Sequence, residues 1–153
     1  MTADLEALRD ERAIIGVALR YARCVDTRDL EGFLACFTED ALYGFAGAQV
    51  RGHRKIGWTV DAAGRFFSAS QHQTTNFEVT LNGDEAVMRS CYVATQVWRE
   101  PARDPLFMMG GVYDDALVRT ADGWRICNRL LTNLWARGDP EPIAAMGLSH
   151  LLA

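Results

Sequence analysis

Four side chains in this sequence have types and settings suited to moving protons or holding charge. Asp26 is the first: Ile15, Leu19 and Ala22 repeat at helical spacing, and the next step of that stripe lands on Asp26. A carboxylate among apolar neighbours at the negative end of a helix dipole holds a proton more readily than one in water, unless a cation sits beside it. That would suit general base work. The alternative is a solvated helix-end residue bonded to nearby backbone. His72 is the second, in Ser70-Gln71-His72-Gln73-Thr74-Thr75-Asn76. Its side chain ordinarily titrates near neutral pH, although a strand histidine is more often a satisfied structural residue. Arg129 alternates with Cys127 and Leu131 on the last predicted strand, one of that strand's two apolar faces, and could point inward with them. Its permanent charge could hold a departing group or a substrate oxygen, or form an edge or interface salt bridge. Tyr21 precedes Asp26 on the same helix and is either a proton donor or a core aromatic.

These residues need elements to carry them. Leu8, Ile15, Leu19 and Ala22, with Ile14, Ala18, Tyr21 and Val25 beside them, predict a first helix over Leu5 to Val25. A short second helix follows from Leu30 to Phe37, capped by Asp29 or Thr27. Ala41 to Phe45 reads as a strand, the chain turns through Ala46-Gly47-Ala48 into Gln49-Val50-Arg51, and Gly52 opens a third helix to about Phe67. From Gln71 onward the pattern is β. Asn82-Gly83 and Asp122-Gly123 are turns, and strands run over Glu85 to Trp98, Leu106 to Thr120 and Trp124 to Trp135. Glu100 to Pro105 is a breaker loop, and Gly110-Gly111 marks a bend or a close backbone approach. Helices first and long hairpins afterwards predict an α+β fold with a coiled, concave sheet.

His72 poses a problem of parity. It alternates in step with Thr74, Asn76 and Glu78, whereas Phe77, Val79 and Leu81 hold the other parity. If the apolar set faces a core, His72 faces away from it. The exceptions are a bulge within Thr74-Thr75-Asn76 or a pocket lined by the more polar alternation. The last strand is apolar on both alternations, with Trp124, Ile126, Leu130 and Leu134 on one and Cys127, Leu131 and Trp135 on the other. Two apolar faces need two covers, and the second is expected to be another subunit.

Composition excludes several classes. The 153 residues carry a net charge of −4 without a dense basic run, which argues against a nucleic-acid partner. No apolar stretch reaches membrane-spanning length, and the start of the chain has no signal-peptide character. Cys24, Cys36, Cys91 and Cys127 are dispersed, offer no metal-ligand spacing and read as reduced core thiols, so the expected location is cytoplasmic. Dinucleotide, P-loop, nucleophile-elbow and zinc-protease motifs are absent. Trp58, Phe66, Trp98 and Phe107 could line a cavity or belong to an ordinary core.

The runs Tyr21-Ala22-Arg23-Cys24-Val25-Asp26-Thr27-Arg28-Asp29-Leu30, Phe37-Thr38-Glu39-Asp40-Ala41, Gln71-His72 and Asp122-Gly123-Trp124-Arg125-Ile126 together resemble the SnoaL-like branch of the nuclear-transport-factor-like superfamily. The resemblance covers about Glu11 to Trp135. It implies a cone, a strongly curved mixed sheet wrapped around three helices, with an internal pocket lined in part by Trp58, Tyr43, Gln96 and Tyr113. Residues 1–137 would form this domain and 138–153 a loosely packed tail. Within the superfamily the chain looks most like cofactor-free eliminating enzymes, the scytalone and bile-acid dehydratases and the hexachlorocyclohexane dehydrochlorinases. The resemblance implies a catalytic pair of Asp26 and His72, with Tyr21 and Arg129 assisting the departing group. The second histidine of the scytalone dehydratases falls near Gln96, and their serine and asparagine near Gly111 and Tyr113, which points away from scytalone as substrate. The expectation is a lyase without cofactor or metal, acting on a small hydrophobic aromatic or polycyclic molecule as a homodimer or homotrimer. An isomerase or cyclase, or a non-catalytic scaffold like a small oxygenase subunit, is the alternative.

Overall fold

The computed structural model describes residues 2–45, 47–99 and 104–139. Helix α1 (Thr2–Thr27) is the predicted amphipathic element, but it packs by a different stripe. Ile14, Val17, Ala18, Tyr21, Cys24 and Val25 are buried, whereas Leu8 and Leu19 are 62% and 51% exposed. The Ile15–Leu19–Ala22 stripe is therefore the margin of the buried face, and of the three only Ala22 is buried. Both stripes have helical periodicity, and only the sheet decides which one it covers. Asp26, one turn beyond Ala22, stands at that margin.

Helix α2 (Leu30–Leu34) is capped by the Asp29 carboxylate, which accepts from the Gly32 amide at 2.9 Å. It stops short of the predicted Phe37 because Phe37 opens strand β1 (Phe37–Phe45) and pairs with Ile126. Strand pairing overrides local helix propensity there. Strand β2 (Ala48–Arg51) returns along β1, and Gly52, at φ 84°, leads into helix α3 (His53–Phe66). Strands β3 (Phe67–Asn82), β4 (Glu85–Trp98), β5 (Leu106–Thr120) and β6 (Gly123–Gly138) follow as a meander. The sheet order is β2-β1-β6-β5-β4-β3, antiparallel throughout except for the parallel β1–β6 pair. This is a curved, open mixed sheet with three helices, and the α+β expectation holds.

Two bulges decide what faces inward. On β3, Thr75 pairs with Cys91 and Glu78 with Arg89, which leaves one surplus residue on β3. Asn76 takes up the surplus in the left-handed region at φ 54°. The partly buried residues are therefore Ser70, His72 and Thr74 before the bulge, and Phe77, Val79 and Leu81 after it. On β6, Asn128 pairs with Ala116 and Ile126 with Leu117, so Cys127 is the surplus residue. Trp124 and Ile126 face the core before it and Arg129 after it, while Leu130 and Leu134 are 49% and 67% exposed. Reading Trp124, Ile126, Leu130 and Leu134 as one face is thus corrected by a bulge that the alternation does not reveal. Leu130, Leu134, Trp135 and Val87 remain exposed.

Close approach explains the paired glycines. A side chain at Gly111 would overlap the Thr132 carbonyl oxygen, and one at Gly110 would overlap the Trp135 ring. All four cysteines are free thiols, with Cys24 and Cys36 buried. Burial pushes the Cys36 thiol up to about 11, away from nucleophilic use. No described helix is long and apolar enough to cross a membrane. Of the tail predicted over 138–153, Gly138 closes β6 opposite Phe107 and Asp139 is buried, while residues 140–153 lie outside the described residues.

The first half of α1 is held by Arg119, whose guanidinium donates to both Asp10 oxygens at 2.8 and 2.6 Å and to Asp84 at 2.8 Å. The Trp124 indole adds a bond to Asp10 at 3.1 Å. Hydrogen bonds from Arg119 and Trp124 hold the Asp10 carboxyl at about 2, below its ordinary 3.8.

Two predictions follow from this framework. Asn76→Val forces a β-branched residue into the left-handed region and should cost about 1–2 kcal/mol, whereas Asn76→Gly should be neutral or stabilising. Urea titration of the two variants checks this, and equal stabilities would refute the bulge geometry. Because the folded Asp10 titrates below its unfolded value, its stabilisation is complete above about pH 4 and lost as pH falls towards 2. The urea midpoint should fall over that range in the wild type and fall less in Asp10→Asn.

Candidate active site

The end of α1 and the start of β3 bring Asp26 and His72 together across the chain. The Asp26 carboxylate uses both oxygens on one residue: Oδ1 lies 2.6 Å from His72 Nδ1, and Oδ2 accepts the His72 backbone amide at 2.8 Å. The second bond fixes the strand relative to the helix, and the first fixes the ring. An ionised carboxylate only accepts, so this contact places a proton on Nδ1 and leaves Nε2 as the nitrogen able to accept one. The two side chains are 9% and 21% exposed for His72 and Asp26.

His72 lines a cavity of about 180 Å³. Tyr21, Tyr43, Gln96, Tyr113 and Trp58 line it as well, as do Phe66 and Phe107. Trp98 does not; it stacks behind the wall against Phe67 and Phe107 at 4.5 and 5.5 Å between ring centroids. Tyr92 and Asn133 are lining residues that sequence reasoning missed. The Tyr92 hydroxyl donates to Asn133 Oδ1, and Tyr92 stacks on Tyr113 at 4.5 Å. Tyr92 shares the buried parity of β4 with Ala94 and Gln96, a signal present in the alternation, whereas Asn133 becomes inward only through the bulge at Cys127.

Tyr21 and Tyr43 join hydroxyl to hydroxyl at 2.9 Å in the cavity wall. Burial, with Tyr21 adjacent, holds the Tyr43 phenol well above its ordinary range, and it stays protonated. Gln96 is 6% exposed, and its Oε1 has no hydrogen-bond partner among the described residues.

Arg129 is placed differently from the sequence expectation. It is fully buried, as inward alternation implied, but it is not a lining residue of the cavity. Its Nε and one terminal nitrogen form a bidentate pair with Asp115 at 2.7 and 2.6 Å. Its guanidinium lies 4.0 Å from the Tyr21 ring centroid and 4.2 Å from that of Tyr113. Burial alone would weaken its hold on the proton, and the Asp115 carboxylate reverses that, so the charge is permanent. Its influence on the cavity passes through the two tyrosine rings. Among the described residues no cluster of three or more His, Cys, Asp or Glu offers a metal site.

A protein of the Penicillium crustosum terrestric acid biosynthesis cluster is 32% identical over 142 residues, 87% of this chain and 88% of its own length. A candidate scytalone dehydratase from Novosphingobium aromaticivorans superposes with a TM-score of 0.82 at 24% identity, covering 90% of this chain and 91% of that one. A type 2 hexachlorocyclohexane dehydrochlorinase superposes with a TM-score of 0.76 at 16% identity, covering 88% and 91%. These two structural likenesses are likenesses of fold. The model of the SnoaL-like domain matches residues 6–130, a span that contains Asp26, His72 and nearly all of the cavity wall, and the chain belongs to the SnoaL-like family.

Proposed function

We propose that the protein is a cofactor-free lyase that eliminates a group from a small hydrophobic substrate, with His72 as base and Asp26 as its partner. The observation that carries this reading is the 2.6 Å contact between Asp26 and His72 Nδ1 in the wall of an apolar cavity. His72 Nε2 removes a proton from carbon next to an activating group, Asp26 stabilises the imidazolium, and the C–H electrons form the new double bond as the neighbouring group departs. The Tyr21 hydroxyl, paired with Tyr43, protonates a departing hydroxide. Arg129 acts behind Tyr21, without contact to substrate. That a candidate scytalone dehydratase and a hexachlorocyclohexane dehydrochlorinase share this fold supports the reading. So does the biosynthetic setting of the fungal relative.

The cavity is a little larger than the roughly 150 Å³ that accommodates benzene, so it encloses about one ring. A larger substrate extends past Trp58, which is 49% exposed at the rim. The unmatched Gln96 oxygen suits a hydroxyl donor on that ring. Isomerisation is the second reading, favoured by one feature: no Lys or Arg is among the lining residues, which suits a reaction that releases no anion. The exposed Leu130, Leu134 and Trp135 belong to the same proposal, as the face closed in a homodimer or homotrimer.

Incubating the protein with a panel of hydroxylated mono- and bicyclic aromatics, with product mass as readout, separates the readings. Loss of water marks elimination; unchanged mass with a shifted absorbance marks isomerisation. His72→Ala should lower turnover by about 10²-fold or more, and Asp26→Asn by a comparable factor through loss of the tautomer. Undiminished turnover in His72→Ala would end the proposal. Light scattering should give two or three times the mass of one chain, and a monomer would refute the oligomer.

A further inference from the structure

Helix α1 ends on a residue that local backbone energetics would not choose. Asp29 N–H reaches back to the Cys24 carbonyl at 2.9 Å and Arg28 N–H to Val25 at 3.3 Å, the pattern of a helix stop whose pivot is left-handed. The pivot is Arg28, at φ 60°. Glycine serves this position without steric cost, so a side chain held there implies a compensating role.

The side chain supplies one. A single guanidinium nitrogen, Nη1, donates to the Val25 carbonyl at 2.8 Å and to Ser70 Oγ at 3.0 Å. One bond lies on α1 and the other on β3. Ser70 shares the inward face of β3 with His72, and Arg28 follows Asp26 by two residues. The Arg28–Ser70 and Asp26–His72 contacts are therefore adjacent rungs between the same two segments. The Arg28 stem also lies along α3, where a side chain carbon at Gly64 would meet its Cδ and Nε at 3.6 Å.

Resting on the reading of Asp26 and His72 as an acid–base pair, we infer that Arg28 is its positioning residue, clamping the end of α1 to β3 so that carboxylate and imidazole stay in register. Arg28 is not a lining residue of the cavity, and it acts through Asp26 and Ser70. Charge contributes as well. Burial lowers the proton affinity of Arg28, attraction to Asp26 opposes that, and Arg99 at the end of β4 is the other charge acting on it. The local groups are thus Asp26 in the last turn of α1, Arg28 just beyond it, His72 on β3 and Arg99.

The test is ¹⁵N NMR of the histidine rings in the full chain, with His72→Gln identifying the His72 signals, so no substrate is needed. Arg28→Gly removes the guanidinium and relieves the left-handed strain, so its thermal midpoint should match or exceed that of the wild type. Its His72 ring should lose the protected Nδ1–H signal and average between tautomers. Arg28→Lys, which keeps the charge but not the geometry of the guanidinium, should not restore the protection. Ser70→Ala, which deletes only the strand end of the clamp, should reproduce the loss of protection. A His72 ring in Arg28→Gly or Ser70→Ala indistinguishable from wild type would overturn the inference. So would full rescue by lysine, which would reduce the clamp to its charge. A wild-type ring without its proton on Nδ1 would instead sink the proposed function, since the clamp is judged by the difference between variant and wild type.

Discussion

One surplus residue on β3 organises the cavity side of this molecule. A strand alternates strictly between two faces, so His72 and the apolar set Phe77, Val79 and Leu81 cannot share a face on an unbroken strand. The bulge at Asn76 breaks the alternation between His72 and that set. Upstream of it the inward face carries Ser70, His72 and Thr74; downstream it carries the hydrophobic residues packed on the core. A single strand thereby supplies both His72 to the cavity wall and an apolar floor for α1. The bulge at Cys127 does the same on β6, where it turns Arg129 into the core after Trp124 and Ile126.

The interior holds a buried ion pair, Arg129 with Asp115, in which Nε and one terminal nitrogen of the guanidinium are matched and Nη1 has no hydrogen-bond partner among the described residues. Taking Arg129 and Asp115 out of water is expensive, and a bidentate contact at 2.7 and 2.6 Å, with tyrosine rings near the guanidinium, is the kind of geometry that offsets it. The pair orders Tyr21 and Tyr113, which form part of the cavity wall. The wall is thus stiffened from behind by a charge that does not line the cavity itself. Stiffness matters because a base placed an ångström away from its target proton loses most of its advantage.

Helix α1 is fastened at both ends by arginine. Near its start Arg119 bridges Asp10 and Asp84, joining the helix to the β3–β4 turn. At its end Arg28 bridges Val25 and Ser70. Apolar packing between α1 and the sheet is non-directional and leaves the helix free to slide along its axis. Directional contacts at each end remove that freedom, and Asp26 lies within the last turn so held.

Much of this was legible from residues alone. The run of helices, the Asn82-Gly83 turn, the close approach at Gly110-Gly111 and the strand limits of β5 follow from local rules of backbone geometry and alternation, which act over a few residues. His72 carried a visible contradiction, and a bulge within Thr74-Thr75-Asn76 was one of the two ways to resolve it. Other features were settled only by contacts distant in sequence. They include which stripe of α1 is buried, where α2 gives way to β1, that Asn133 lines the cavity and that Arg129 is matched by Asp115. Each depends on which segments pair and in what register, and a one-residue shift in register exchanges every inward side chain for an outward one. Residue types thus determined which chemistry the chain could carry, and tertiary pairing decided which of those groups meet.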